Sequence, residues 1–166
     1  MFRTLTYLLA LALLVGCAAS QQSFDQMVDK LLDHSVTEVR VPEASTDTTA
    51  LFLDAREWNE YAVSHITDAV WVGYDDFSEE RVAGIPKDRE VIVYCSVGYR
   101  SEKVSEKLVA MGFTKVSNLY GGMFDWVNEK KPVIDANGKP TQAIHPYDDN
   151  WGQWIKNGEK QYKPKN

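Results

Sequence analysis

Apolar and polar residues follow two recurring patterns along this chain, one typical of buried strands and one of amphipathic helices. Short β-favouring runs predict strands at 36–41, 50–53, 69–72, 91–94 and 116–119. Helical spacing of apolar residues predicts helices at 24–32, 57–63, 101–111 and 123–129. Strands that alternate with helices favour an α/β fold with a mainly parallel sheet and helices on both faces.

The stretch 91–101 reads V-I-V-Y-C-S-V-G-Y-R-S, so a buried strand pattern delivers Cys95 into a loop that then turns helical. The backbone N–H groups of 96–101 can point at the sulfur, and the first amides of the following helix add partial positive charge. Such a cradle favours a thiolate, a persulfide or an oxyanion. We therefore interpret Cys95 as a nucleophile, against the alternative of an inert buried cysteine.

The first residues have the pattern of a targeting segment. Arg3 precedes an apolar run at 5–15 that is too short to span a bilayer, and we predict a signal peptide over 1–16. The run ends L-V-G-C, which resembles the bacterial lipobox, in which the cysteine, here Cys17, is lipidated. Ala18 is not acidic, so we expect export and a lipid anchor in the outer membrane, facing the periplasm. The alternative is an ordinary cleaved signal peptide.

Charge and cysteine content narrow the functional classes. The net charge of −6 across 166 residues argues against a nucleic-acid partner, because no clustered basic surface would attract phosphates. The chain has two cysteines, and lipidation of Cys17 would leave Cys95 without a disulfide partner in the mature chain. We expect a tether and N-terminal helix at 17–35, one domain at 36–131, and an extension at 132–166.

The extension at 132–166 carries its own signals. The run 133–139 predicts a hairpin with an Asn137-Gly138 turn. Trp151, Trp154 and Ile155 predict a short helix packed on the domain. The alternative is a lid or partner surface near the Cys95 pocket.

Four motifs together resemble the rhodanese family: L-D-A-R-E at 53–57 followed by E-Y at 60–61, S-H-I-T-D-A at 64–69, the Cys95 loop, and G-G at 121–122 followed by Trp126. The second motif has Ser64, Thr67 and Asp68 where the family pattern has Gly, Pro and Gly. The resemblance covers 36–128 and implies a five-stranded parallel sheet with the active-site cysteine between a strand and a helix.

The resemblance implies a sulfurtransferase in which the Cys95 thiolate takes a sulfane sulfur from thiosulfate or a persulfide and passes it to a thiophilic acceptor. The expected substrate-binding residues are Ser96, Val97, Gly98, Tyr99, Arg100 and Ser101. Arg100 either binds an anionic donor or faces outward. Ser101 either caps the helix or bonds the sulfur.

Two further polar residues, Asp54 and Arg56, are expected to support the site. The pattern favours a structural role, with Arg56 pairing with Glu60 one helical turn away or Asp54 bonding a loop amide, over the alternative of direct contact with the substrate. We expect no cofactor and no metal, because His34 and His145 lack metal-ligand spacing.

Several alternatives stay open from the sequence. The C-x4-R spacing from Cys95 to Arg100 is one residue shorter than the C-x5-R loop of phosphatases, which makes a phosphatase or arsenate reductase the second enzyme hypothesis. A non-catalytic, lipid-anchored binding or scaffold protein is the other alternative, and a persulfide carrier that receives sulfur from a protein partner is a third. For the sulfurtransferase we expect a monomer whose partners are a small sulfur donor, a thiol acceptor and the membrane.

Overall fold

The computed structural model describes residues 22–164 and contains one five-stranded sheet in the order β1-β5-β4-β2-β3. All its pairings are parallel. Its strands are β1 (Thr37–Val39), β2 (Leu51–Asp54), β3 (Val70–Trp71), β4 (Val91–Tyr94) and β5 (Val116–Leu119). The α/β fold predicted from the sequence is confirmed, and β4, which carries Cys95 at its end, lies in the centre of the sheet.

Helices precede, connect and follow these strands. They are α1 (Phe24–Leu31), α2 (Val41–Ala44), α3 (Trp58–Val63), α4 (Tyr99–Ala110), α5 (Gly122–Asn128) and α6 (Asp149–Gly152), with a 3-10 turn at Glu79–Val82. The short α2 opens with Pro42 in its first turn, where the missing N–H of proline costs no helical hydrogen bond.

The sheet is buried on both faces because β4 alternates between two apolar cores. Val91 and Val93 pack with Val104 and Leu108 of α4 on one face. Ile92 and Tyr94 join a second cluster on the opposite face, formed with α1 and α5. Strands that are covered in this way have near-continuous apolar sequences, as V-I-V-Y does.

The extension packs on the second of these cores. Strands β6 (Val133–Ile134) and β7 (Pro140–Thr141) form the predicted hairpin, with Gly138 at a φ of 74° in its turn. A parallel pair, β8 (Ala143–Ile144) and β9 (Glu159–Lys160), follows around α6. Ile144 and Ile155 are buried in the same cluster as α1 and α5, so the extension shares the core of the domain.

The predicted signal peptide and Cys17 lie outside the described residues. Within 22–164, no helix combines the length and the apolar character that crossing a bilayer requires.

Candidate active site

Cys95 directly follows β4 at the carboxyl end of the sheet and is only 1% exposed. Its Sγ accepts a hydrogen bond of 3.2 Å from the backbone N–H of Gly98. Gly98 has a φ of 114°, a backbone conformation that glycine adopts without strain, and it is the N-cap of α4. The sulfur therefore lies inside a tight loop that leads into the N-terminus of a twelve-residue helix.

The loop backbone rests on the N-terminus of α5. Met123 N–H donates to the Cys95 carbonyl at 2.8 Å, and Phe124 N–H donates to the Ser96 carbonyl at 3.0 Å. Gly122 makes this approach possible, since a Cβ at that position would lie 2.4 Å from the Cys95 carbonyl oxygen. The G-G motif therefore allows the backbone of α5 to approach the backbone of the Cys95 loop closely.

Arg100 turns inward and is held by Glu60 of α3. Its two terminal nitrogens donate to the two Glu60 carboxylate oxygens at 2.7 and 2.8 Å, and Nη2 also donates to Ser96 Oγ at 3.0 Å. Ser96 Oγ donates to Glu60 Oε1 at 3.0 Å. Both side chains of the ion pair are largely buried. Neither expected position of Arg100 describes this arrangement completely, because the guanidinium is inside and already engaged by a carboxylate.

Burial and ion pairing act in opposite directions on the pKa values of Glu60 and Arg100. Burial acts to raise the pKa of Glu60, but the hydrogen bonds and positive charge of Arg100 prevail and lower that pKa to about 2. Burial likewise acts to lower the pKa of Arg100, and the Glu60 hydrogen bonds and the Cys95 sulfur raise it. Both groups are therefore ionised at neutral pH.

The predicted Arg56–Glu60 pair is wrong. The Arg56 guanidinium folds back onto Asp54, with Nη2 donating to Oδ2 at 2.6 Å, and Nη2 also donates to the Ser64 carbonyl at 2.7 Å. Both side chains are fully buried. Asp54 does bond a loop amide as predicted, accepting from Arg56 N–H at 2.9 Å. This pair braces the turn between β2 and α3, and α3 in turn presents Glu60.

Ser101 follows neither of its two predicted alternatives. Gly98, not Ser101, is the N-cap of α4, and the Ser101 hydroxyl lies 3.0 Å from the Gly98 carbonyl oxygen and 2.7 Å from Asn118 Oδ1. Asn118 Nδ2 donates to the same Gly98 carbonyl at 3.1 Å. A serine in the first helical turn reaches back to a carbonyl three residues earlier, and so Ser101 stabilises the loop without contacting the sulfur.

A pocket of about 270 Å³ opens above Cys95. Of the predicted loop residues, Cys95, Ser96, Val97, Tyr99 and Arg100 line it, and Gly98 and Ser101 do not. The rest of the wall is formed by Leu31, Glu57, Tyr74, Asp75, Tyr147 and Trp151, of which the sequence interpretation had named only Trp151, in the alternative of a lid near the pocket. Of the other five, only Glu57, inside the L-D-A-R-E motif, offered a sequence signal for a place beside the site.

The extension contributes to this pocket as well as to the core. Tyr147 and Trp151 line it, and the Arg100 guanidinium carbon lies 5.1 Å from the Tyr147 ring centroid. Trp154 instead packs on Phe24 of α1 at 5.7 Å between ring centroids. The predicted packing of this segment on the domain is therefore present, and the same segment also lines the pocket.

Comparison with solved structures finds the same fold in other proteins. The thiosulfate sulfurtransferase of Pseudomonas aeruginosa superposes with a TM-score of 0.55 at 17% identity, covering 80% of this chain and 25% of that one. A crystal structure from Bacillus halodurans gives a TM-score of 0.57 at 24% identity, covering 61% and 79%. Both similarities concern the fold.

A curated relative, the tRNA uridine(34) hydroxylase of Hamiltonella defensa, is 34% identical over 96 residues. These are 55% of this chain and 27% of the relative, so the chain spans about a quarter of that protein's length. The family description "Rhodanese-like domain" matches residues 35–129, which include Asp54, Arg56, Glu60 and the whole Cys95 loop. The chain belongs to the rhodanese-like family.

Proposed function

We propose that the protein is a sulfurtransferase that carries a sulfane sulfur on Cys95 as a persulfide. The observation that supports this most directly is the position of a free Cys95 at the bottom of a pocket, with a backbone N–H donating to its sulfur. Family membership supports sulfurtransferase-type chemistry. The identity of the donor is part of the proposal.

The reaction has two displacement steps. The Cys95 thiolate attacks the outer sulfur of the donor, forming a new S–S bond while the donor's own bond to that sulfur breaks and its electron pair leaves with the remainder. With thiosulfate the leaving group is sulfite. A thiolate acceptor then attacks the outer sulfur of the persulfide and restores Cys95 as a thiolate.

The loop lowers the cost of holding negative charge on sulfur in both steps. The Gly98 N–H and the N-terminus of α4 offer partial positive charge that is fixed before the reaction begins. The Arg100 guanidinium interacts electrostatically with the Cys95 sulfur, and Glu60 both fixes its position and compensates its charge.

The whole activity of the tRNA-modifying relative is not part of this proposal. The shared segment is a quarter of that protein, and the net charge of −6 gives this chain no general attraction for a polyanion. We propose instead a small-molecule donor and a thiol acceptor, with the protein acting as a monomer. We further propose that it is exported and held by a lipid on Cys17 at the outer membrane, facing the periplasm.

The test is intact mass after incubation with thiosulfate or an organic persulfide. Cys95→Ser retains Cys17 and should gain no sulfur, whereas Cys17→Ser retains Cys95 and should gain the mass of one sulfur atom. That atom should leave on addition of cyanide or a thiol. Absence of an adduct with every donor would favour the scaffold alternative, and hydrolysis of an aryl phosphate that depends on Cys95 would favour the phosphatase alternative.

A further inference from the structure

The charges around the Cys95 pocket are unlike those expected for binding an anion. Among the described residues that line it, Glu57 and Asp75 are acidic and Arg100 is the basic one. The Arg100 charge is compensated by Glu60 through two hydrogen bonds, and the Tyr147 ring covers part of the guanidinium. With Arg100 paired to Glu60, the two further carboxylates of Glu57 and Asp75 make the net charge around the pocket negative.

The position of Glu57 strengthens this effect. Glu57 and Asp75 line the same pocket. Burial is the main cause that raises the pKa of Glu57, and the charge of Asp75 adds to it, while a backbone hydrogen bond from Asp75 and the charge of Arg100 act in the opposite direction. A donor that brought a third negative charge between them would meet repulsion in a partly desolvated site.

The walls of the pocket are mostly apolar. Leu31 and Val97 contribute aliphatic surface, and Tyr74, Tyr99 and Trp151 contribute aromatic faces. The volume of about 270 Å³ lies just below the ~300–1,000 Å³ of ordinary ligand pockets, so it suits a small molecule. An apolar group of the donor would gain contact here, whereas the sulfonate end of thiosulfate would lose its hydration without a free cation to replace it.

We propose that the sulfur donor of this protein is a small organic persulfide whose organic group is apolar or cationic and carries no negative charge. The proposal rests on the proposed sulfurtransferase function and specifies its substrate class. Glu57 and Asp75 select against anionic donors, and the aromatic wall that includes Trp151 holds the organic group.

The step balances without any added oxidant. The Cys95 thiolate attacks the terminal sulfur of the protonated persulfide R–S–SH. A new S–S bond forms between Cys95 Sγ and the terminal sulfur while the S–S bond of the donor breaks. The electron pair of the broken bond leaves with R–S⁻. The proton stays on the transferred sulfur, so one thiolate is consumed and one is released.

The experiment compares persulfides of similar size and different charge. Those of cysteamine, 2-mercaptoethanol and 3-mercaptopropionate carry a cationic, a neutral and an anionic group, and thiosulfate is the dianionic reference. The rate of Cys95 persulfide formation is followed by quenched intact mass and is divided by each donor's rate with a simple thiol in solution. We expect the normalised rates of the cationic and neutral donors to exceed those of both anionic donors by at least about tenfold.

Removing the charges of Glu57 and Asp75 tests whether these two residues cause the lower rates of anionic donors. In the double variant Glu57→Gln with Asp75→Asn, the gap between neutral and anionic donors should shrink several-fold, and raising the ionic strength should shrink it in the unmodified protein. Glu80→Gln, an exposed acid outside the pocket, should leave the gap unchanged. A gap that stays the same in the double variant would overturn the selection by Glu57 and Asp75.

Failure of this proposal and failure of the proposed function give different results. If anionic donors load Cys95 as fast as the others, the substrate class is wrong and sulfur transfer stands. If no donor adds sulfur to Cys95 while the fold is intact by circular dichroism, the sulfurtransferase function itself is wrong.

Discussion

The ion pair between Glu60 and Arg100 joins α3 to the Cys95 loop through side chains that are forty positions apart in sequence. Ser96 hydrogen-bonds to both members of the pair, so the pair holds the backbone at Ser96 as well as at Arg100. A buried pair of this kind adds little net stability compared with apolar packing, but loss of one partner leaves the other charge uncompensated. Its role here is to hold the loop in one arrangement.

The Glu60 carboxylate should make the stability of the protein depend on acidity. Its pKa is about 2 in the folded state against 4.5 as the ordinary value, so the unfolded state binds more protons in this range. The contribution is present above pH 4.5 and is lost as the pH falls towards 2, and it is of the order of 3 kcal/mol.

Glu60→Gln should therefore unfold more easily than the unmodified protein at pH 7, by about 3 kcal/mol in urea titrations. The two unfolding free energies should converge as the pH is lowered from 5 to 2. Glu80→Gln at an exposed position is the matched control and should run parallel to the unmodified protein. A constant difference between Glu60→Gln and the unmodified protein at every pH would show that the carboxylate charge is not what matters.

At the scale of elements, α5 supports the site through its first turn, where backbone N–H groups bond the carbonyls of Cys95 and Ser96. Gly122→Ala should be strongly destabilising, because its Cβ would meet the Cys95 carbonyl oxygen and its φ is 55°. We expect a loss of about 3 kcal/mol in the free energy of unfolding and slower persulfide formation.

Substitutions at two other glycines distinguish the steric cost of a Cβ at Gly122 from the conformational cost of its positive φ. Gly112 has a φ of 90° but open space around its Cβ position, so Gly112→Ala should show the conformational cost alone, roughly 1 kcal/mol. Gly84→Ala has open space and no such φ, and should be close to neutral. Equal losses at Gly122 and Gly112 would contradict the close approach of the two backbones.

Local sequence signals predicted the elements better than their connections. The strands at 91–94 and 116–119 were predicted with the observed bounds. The first has the continuous apolar run of a buried strand, whereas the second, V-S-N-L, has apolar residues only at its two ends. Helix α4 begins two residues earlier than its predicted start at 101, since Gly98 ends the loop with a left-handed conformation that periodicity does not reveal.

The partner of Glu60 was predicted wrongly for a related reason. A helical i,i+4 rule suggested Arg56, but the Arg56 side chain reaches back to Asp54, and Glu60 meets Arg100 from the other side of the site. Such a contact depends on how β2 and β4 lie side by side in the sheet, which a single sequence does not specify.

At the scale of the whole molecule, the extension after 131 has two separable roles. Trp154 packs against Phe24, and its carbonyl accepts a hydrogen bond from Asn128 Nδ2 at 2.9 Å. Trp154→Ala should lower the free energy of unfolding by roughly 2 kcal/mol, somewhat less than for a fully buried tryptophan. Its relative rates with different sulfur donors should not change.

Tyr147→Ala is the matched variant on the pocket side, where the ring is half exposed. It should leave the urea midpoint almost unchanged and admit bulkier persulfides to Cys95, measured as a raised ratio of large-donor to small-donor rates. If Trp154→Ala altered that ratio as much as Tyr147→Ala, the two roles would not be separable.

The proposed membrane anchor gives the last prediction, because it depends on the leader and not on the folded domain. One acyl chain binds a membrane only marginally, and several chains together hold a protein stably. Cys17→Ala should therefore release the protein into the soluble fraction of fractionated cells, while Cys95→Ala, which leaves the lipobox intact, should stay with the membrane. Retention of Cys17→Ala in the membrane fraction would remove the lipid anchor from the proposal. It would leave the chemistry at Cys95 unaffected, since the pocket is built from residues 31–151.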